Sequence, residues 1–346
     1  MNKIILINDN FNNKNEINKI NDINDINDVN HRIKISGSIG MVKLVSKNKN
    51  VFMFFDDHSN KTYCTEPNSI FLNEIFDNIV NNEDNYIILL EEPFIKNYSN
   101  IKFLWNETPH IIKFRNFYKR MIKQCSDTKK CNVFPIDIRL IICDVSIDEL
   151  ISNLDYDEYF KNYKITVFEY FKQLLYLFDY IEWDEKIFYN TDTNIKFIKK
   201  IFNKFLDDNY YMKLKLEFDS LYNKYISPNK STNINIFLRE NKNISNHFFT
   251  GYPFENSNND LFLDQYDNLI NGIMELYTYI LMTKLKYPNV IVYSGYYHSN
   301  NLTYILKKFY NFKEVYTIGN TTDIEKKDEK YVNNCLYIDK KIFTNV

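Results

Sequence analysis

A chain of 346 residues with 43 basic and 45 acidic side chains carries a formal charge of -2, which gives no electrostatic case for nucleic acid or an anionic membrane surface as partner. It is long enough to bury a large core, and no uninterrupted apolar run approaches the ~20 residues of a membrane span. Alanine is absent and glycine scarce, while Asn, Ile, Lys, Tyr and Phe abound; these are the amino acids of AT-rich codons, so abundance alone assigns no role to an Asn-rich stretch.

The opening Met1 to Asn8 has too short an apolar segment for a signal peptide. From Asn10 to Asn30 isoleucines recur every third residue among Asn and Asp, a spacing that drifts around an α-helix, and residues 1–31 read as a disordered arm. Ile33 to Ser36 and Met41 to Ser46 flank Gly37-Ser38-Ile39-Gly40 and predict a hairpin. Val51 to Phe55 is a continuous apolar run, the signature of a strand buried on both faces, and it stops at Asp56-Asp57-His58. Ile70, Phe71, Ile75, Phe76, Ile79 and Val80 have helical spacing, and Tyr86 to Leu90 is a second apolar strand, ending at Glu91-Glu92-Pro93. Strand, helix and strand of this kind form a βαβ unit with parallel pairing.

A helix over His110 to Gln124 precedes a strand, Asn132 to Arg139, whose Pro135 places it at a sheet edge or makes it begin there. Long aromatic and charged helices then take over, among them Tyr163 to Tyr180 and Thr193 to Leu206. Asp260 to Lys286 reads as one long helix feeding the strand Val290 to Ser294, which ends at Gly295-Tyr296-Tyr297-His298. A helix over Asn301 to Tyr310 and a strand over Glu314 to Ile318 make a second βαβ unit, and Cys335 to Ile338 adds an edge strand. The expected fold is α/β, a mainly parallel central sheet flanked by helices, with a helical insertion in the middle of the chain. Its parts are the arm, a first half over 32–145, the insertion over 146–250 and a second half over 251–346. The five cysteines, Cys64, Cys125, Cys131, Cys143 and Cys335, are odd in number without close CxxC spacing. They predict a reduced, cytoplasmic setting with Cys143 as a core thiol.

Three apolar strands that each lead to an ionisable group point to one site, because ligands of such sheets bind beyond the carboxyl ends of the strands. His58, His298 and Glu91 are the candidate ligands of a divalent ion such as zinc, manganese or cobalt. Asp56 would orient His58 or ligate directly. Two histidines, a carboxylate and an open position would activate water; the same groups without metal would act as general acid and base. Asp137 and Arg139 share one face of their strand and read equally as an ion pair or as substrate binders. Neither GxGxxG nor GxxxxGK occurs, so no phosphate loop is expected.

Phe54-Phe55-Asp56-Asp57-His58 resembles the Phe-Gly-Asp-x-His strand end of a family of giant-DNA-virus proteins, with Phe55 in place of its glycine. Leu90-Glu91-Glu92-Pro93-Phe94 is similar to an acidic strand end of that family, and Ile136-Asp137-Ile138-Arg139 to its Asp-Ile-Arg segment. Met274-Glu275-Leu276-Tyr277 resembles its Met-Asp-x-Tyr helix, with Glu for Asp, and Gly295-Tyr296-Tyr297-His298 its second Gly-x-x-His. More remotely the layout resembles the superfamily of TIKI, TraB, ChaN and erythromycin esterase. The resemblance spans roughly 51–318 without the helical middle. It implies paired histidines and an acid lining one site, on a fold whose members include metal-dependent proteases, lactone hydrolases and haem-iron binders. It adds Glu275 and Tyr297 to Arg139 and Asp137 as candidate substrate-binding residues.

The resulting expectation is a metal-assisted hydrolase of an amide or ester bond, of viral origin. Glu91, Asp56 and Arg139 would be its catalytic groups, with Arg139 holding a substrate carboxylate or an oxyanion. The alternative, from another class, is a non-catalytic viral protein of the same fold that binds a host factor or small ligand. A water-accessible cleft with an intact ligand set favours the first; a site plugged by Phe55 or paired off internally favours the second.

Overall fold

The computed structural model describes residues 32–57, 64, 66–82, 85–93, 109–128, 132–143, 147, 150, 164–189, 191, 193–241, 261–321 and 335–343. The predicted arm over 1–31 and His58 lie outside the described residues.

The apolar runs form a six-stranded sheet. Its strands are β2 (Gly40–Ser46), β3 (Lys49–Asp56), β5 (Tyr86–Pro93), β6 (Val133–Asp137), β7 (Asn289–Gly295) and β8 (Lys313–Gly319), in the order β6-β5-β7-β3-β2-β8. The four strands from β6 to β3 are parallel, while β2 runs antiparallel to both β3 and β8. A second sheet holds β4 (Ile70–Phe71), β1 (Arg32–Ser36) and β9 (Leu336–Asp339) in the order β4-β1-β9.

Because the parallel strands are apolar on both faces, alternate residues feed two cores. Val51, Met53, Phe55, Ile87, Leu89, Val290 and Val292 face one cluster. Phe52, Phe54, Ile88, Leu90, Ile291 and Tyr293 face the other. Helices α1 (Leu72–Asn82) and α2 (Pro109–Thr128), with the small sheet, cover the second face. The first face carries α3 (Arg139–Ile142), α4 (Val167–Leu177), α5 (Asn194–Phe202), α6 (Asn209–Leu221), α7 (Ile234–Asn241), α8 (Phe262–Lys284) and α9 (Tyr296–Tyr310). The result is the mixed α/β architecture that the strand and helix pattern predicts.

Several details differ. The expected hairpin between Ile33 to Ser36 and Met41 to Ser46 does not form: the first segment pairs with Ile70–Phe71 and Leu336–Asp339, and the second with Lys49–Asp56. The two-residue link Lys47-Asn48 suits a tight hairpin, so the local closure wins over the Gly-Ser-Ile-Gly turn. Strands β3 and β5 are parallel as the βαβ reading requires, yet β7 lies between them, paired in register with both. Pro135 sits in β6 at the edge of the sheet, as its missing N–H demands.

The helices of the middle of the chain pack into the same core as the sheet. Their buried residues, among them Phe171, Leu174, Leu214 and Phe218, belong to the same cluster as the sheet residues Met53 and Leu89. Directly on the first face lie α8 and α9, and the middle helices pack against them and against α3. Free thiols are also corrected. Cys64 and Cys335 form a disulfide with Cα atoms 4.6 Å apart, and Cys125 is disulfide-bonded. Sequence separation of 271 hides a pairing that the small sheet creates: Ser36 of β1 accepts a hydrogen bond from the Cys64 N–H, and β1 pairs with β9 just beyond Cys335. The cysteine count therefore lends no support to a reduced compartment. Cys143 is a buried free thiol, 2.8 Å from the Tyr266 hydroxyl, as expected of a core cysteine. Among the described residues no helix is long and apolar enough to cross a membrane.

Candidate functional site

The register decides which groups meet at the carboxyl end of the sheet. Val51 pairs with Val290, which in turn pairs with Ile87. Counting forward by twos, Glu91 continues the face of Ile87 and Leu89, whereas Glu92 and Asp56 continue the opposite face. Adjacent acids on one strand thus enter different layers.

On the first face β7 passes straight into α9, with Gly295 at the cap position. Ser299, in the first turns of α9, places its hydroxyl 3.0 Å from the carbonyls of both Phe54 and Ser294. This ties the helix start to β3 and β7 and fixes His298 one residue earlier. The Gly295 N–H donates to Glu91 Oε2 at 2.6 Å, so the start of the helix also anchors the carboxylate. From the edge strand β6 and the first residue of α3 come Asp137 and Arg139. The Arg139 guanidinium grips Asp137 through Nε and Nη2, both at 2.9 Å, and donates from Nη2 to Glu91 Oε1 at 3.1 Å.

The third Arg139 contact, Nη1 to His298 Nε2, is 3.1 Å long. Guanidinium nitrogens carry donors only, so this contact is a hydrogen bond when Nε2 presents its lone pair and the ring proton sits on Nδ1. Nδ1 faces Glu275 Oε1 at 3.6 Å. Glu275 is 1% exposed, on the inner side of α8, and its other oxygen accepts from the Tyr210 hydroxyl at 3.4 Å. Tyr210 is held in turn because Asp208 caps α6 and accepts from the N–H groups of Tyr210 and Tyr211. Glu91 Oε1 also lies 3.4 Å from Nε2, so a proton taken up there would find a carboxylate beside it.

Charge within this cluster follows from its neighbours. Burial alone would push the Asp137 carboxyl up, but the Arg139 guanidinium outweighs it and holds the group below the usual carboxylate range. Asp137 and Glu91 reciprocally hold Arg139 as a cation against its burial. Burial pushes the Glu275 carboxyl up, with His298 pulling the other way. Tyr297, whose ring edge meets the His298 ring at 5.7 Å, is pushed up to about 12 by burial and stays a neutral phenol.

The structure therefore brings together His298, Glu91, Arg139, Asp137 and Glu275, with Tyr297 alongside. It does not bring Asp56 to His298: Asp56 lies on the other face and shares only a small cavity with Glu91. Phe55 is fully buried in the first core with its ring against Tyr296. His58 falls outside the described residues, so its convergence with His298 and Glu91 is not part of this geometry.

Of the three expected metal ligands, His298 and Glu91 are among the described residues and His58 is not. Arg139 occupies the position between His298 Nε2 and Glu91 Oε1 that an ion shared by those ligands would need. Among the described residues no three His, Cys, Asp or Glu side chains gather as a metal set.

Three residues outside the sequence-derived candidates also stand at this end. Glu92 is buried on the second face, near Arg115 of α2 and Tyr293 of β7. The signal was available: a strand apolar on both faces, followed by two acids, sends one acid into each layer.

No protein-family model, curated protein or solved structure matches the chain.

Proposed function

We propose that the protein is a hydrolase of an ester or amide bond in which His298 acts as a general base without a metal ion. The observation that supports this most is the placement of the His298 ring, with Nδ1 turned to buried Glu275 and Nε2 facing Arg139 and Glu91. A base backed by a carboxylate, with its other nitrogen turned to Arg139 and Glu91, is an arrangement that suits water activation.

In this reading Arg139 is the electrophilic group. Its Nη1 donates to His298 at rest; when water binds at Nε2, that N–H turns to the oxyanion forming on the substrate carbonyl, while Asp137 keeps the guanidinium in place through two bonds. Glu91 receives the imidazolium N–H that appears when His298 takes the water proton. The partial exposure of Arg139, 24% of its side chain, marks the side from which substrate enters. The resemblance to lactone-hydrolysing esterases supports the same bond class.

A second reading rests on a specific observation. Arg139 already serves Asp137, Glu91 and His298, which is the internal pairing expected of a non-catalytic protein that binds a ligand or host factor. The two separate in one assay: a panel of chromogenic carboxylic esters and amino-acid anilides, with chelator and with added zinc, manganese or cobalt. Turnover above the buffer rate that chelator leaves unchanged is the expected result. Turnover that appears only with added metal favours the metal-assisted variant, with His58 and a displaced Arg139; its absence throughout favours the binding protein.

A further inference from the structure

The ends of β3, β5 and β7 enclose a cavity of about 30 Å³ against α2, on the face of the sheet away from His298. Leu90, Ile111, Phe114 and Tyr293 wall it, and Asp56, Glu91 and Glu92 supply its carboxylates. A space of this size takes a water molecule or the head of a small ion.

Glu92 is the group that asks for a ligand. It is 6% exposed, and its Oε2 has no hydrogen-bond partner. Arg115 Nε stands 3.8 Å from that oxygen, beyond hydrogen-bond reach. A buried carboxylate oxygen is costly unless something donates to it. The polar lining consists of acceptors apart from the Tyr293 hydroxyl, which faces Asp56. The apolar side is half aromatic, with the Phe114 and Tyr293 rings stacked 3.9 Å apart beside Leu90 and Ile111.

Acceptors on one side and aromatic rings on the other suit an organic cation that carries N–H donors. A divalent metal suits them less, because the acids here do not gather at metal-ligand spacing among the described residues.

We propose that this cavity is a recognition pocket for a primary ammonium group, with Asp56 and Glu92 as its acceptors. Glu91 forms a wall of the cavity and also contacts Arg139 and His298, so an ammonium bound here sits one carboxylate away from the general base. Taken with the hydrolase reading, on which this step rests, the substrate class is an ester or amide whose primary ammonium lies several bonds from the scissile carbonyl.

The pocket has its own pH dependence. Burial raises the Glu92 carboxyl to about 7, Arg115 and Lys119 pull it down, and Glu91 and Asp137 push it up; Asp56 faces it across the cavity. An ammonium ion favours the carboxylate form, so binding expels the Glu92 proton to solvent. An alkylammonium stays charged well above neutral pH, like the lysine side chain.

Ligand-observed NMR with methylammonium as the probe tests the pocket without any need for turnover. Wild-type protein is expected to bind it, ~10-fold more weakly at pH 6 than at pH 8, as one proton competing near pH 7 dictates. Glu92→Gln and Asp56→Asn should each weaken binding by ~10-fold or more, and His298→Ala should leave it unchanged. Tetramethylammonium, which has no N–H, should not compete. The proposal is overturned by a wild type that fails to bind methylammonium, by tetramethylammonium competing equally, by manganese displacing the amine, or by both carboxylate variants binding as the wild type does. Should a variant fail to fold, the wild-type pH dependence and the tetramethylammonium control still decide. Methylammonium binding without turnover would keep the pocket and remove the hydrolase; turnover without binding would do the reverse.

Discussion

On the proposed hydrolase reading, His298→Ala lowers kcat/KM for ester or amide hydrolysis by ~10²–10⁴-fold, the range that a positioned general base contributes. The loss falls on kcat, because the imidazole takes a proton in the transition state and adds little to ground-state binding. Glu275→Gln behaves differently. Its side chain does not reach substrate, being 1% exposed behind the ring, so it acts by positioning His298. That variant keeps part of the activity but shifts the ascending limb of the pH–rate profile to lower pH, since a neutral amide stabilises imidazolium less than a carboxylate does. Steady-state kinetics of both variants across pH 5 to 9 checks this, and a full-rate His298→Ala enzyme would remove His298 from the mechanism.

Arg139→Ala destabilises the folded protein by about 3–5 kcal/mol near neutral pH, the usual cost of breaking a buried ion pair from one side. Asp137 and Glu91 would be left in a largely buried cluster without the cation that both now face. The sign with pH follows from Asp137. In the wild type its carboxyl is held below the unfolded value by Arg139, so it contributes stability above the unfolded pKa of ~3.9, lost as pH falls through the folded value. Without Arg139, burial alone acts on the carboxyl and raises it, so the variant is penalised above that range and relieved as the group protonates. The gap between wild type and variant should therefore narrow as pH falls from 7 towards 4. Urea unfolding at both ends of this range measures it; a gap that is constant with pH would show that the cluster contributes no electrostatic stability.

How much of this was legible in the sequence differs from element to element. The strands ending at Asp56, Glu91 and Gly295 were plain, because four or five apolar residues in a row between turn signals leave few other readings. Their adjacency was not: nothing local says that β7 lies between β3 and β5, a choice made by the two crossovers and their helices. The hairpin was misplaced for a similar reason, as the Gly-rich link after Ser36 turns the chain from one sheet to the other instead of closing a hairpin. The helical middle looked separable since its aromatic and charged composition changes abruptly, yet its apolar faces join the same core as the sheet residues.

At the site, alternation along a strand carried more information than the residue types did. Applied strictly, it assigns Glu91 to the His298 side and Asp56 and Glu92 to the other, and it predicts two polar centres where the acids and histidines taken together suggested one. Glu275 could not come from helical periodicity, which offers no reason to bury an acid; its reason is His298, some 20 residues later in the chain and 3.6 Å away in space. Arg139 was legible as a partner of Asp137, but its reach to Glu91 and His298 depends on the neighbouring strands β5 and β7.

The central claim is that His298 presents an unprotonated Nε2 as a base and does not serve as a metal ligand. Nitrogen-15 NMR of the His298 ring in chelated buffer near pH 7.5, assigned by comparison with His298→Ala, tests it most directly. The account predicts a neutral ring with the proton on Nδ1, and no change in its resonances when one equivalent of zinc, manganese or cobalt is added. A ring protonated on Nε2, or resonances that shift or broaden stoichiometrically with metal, would contradict it.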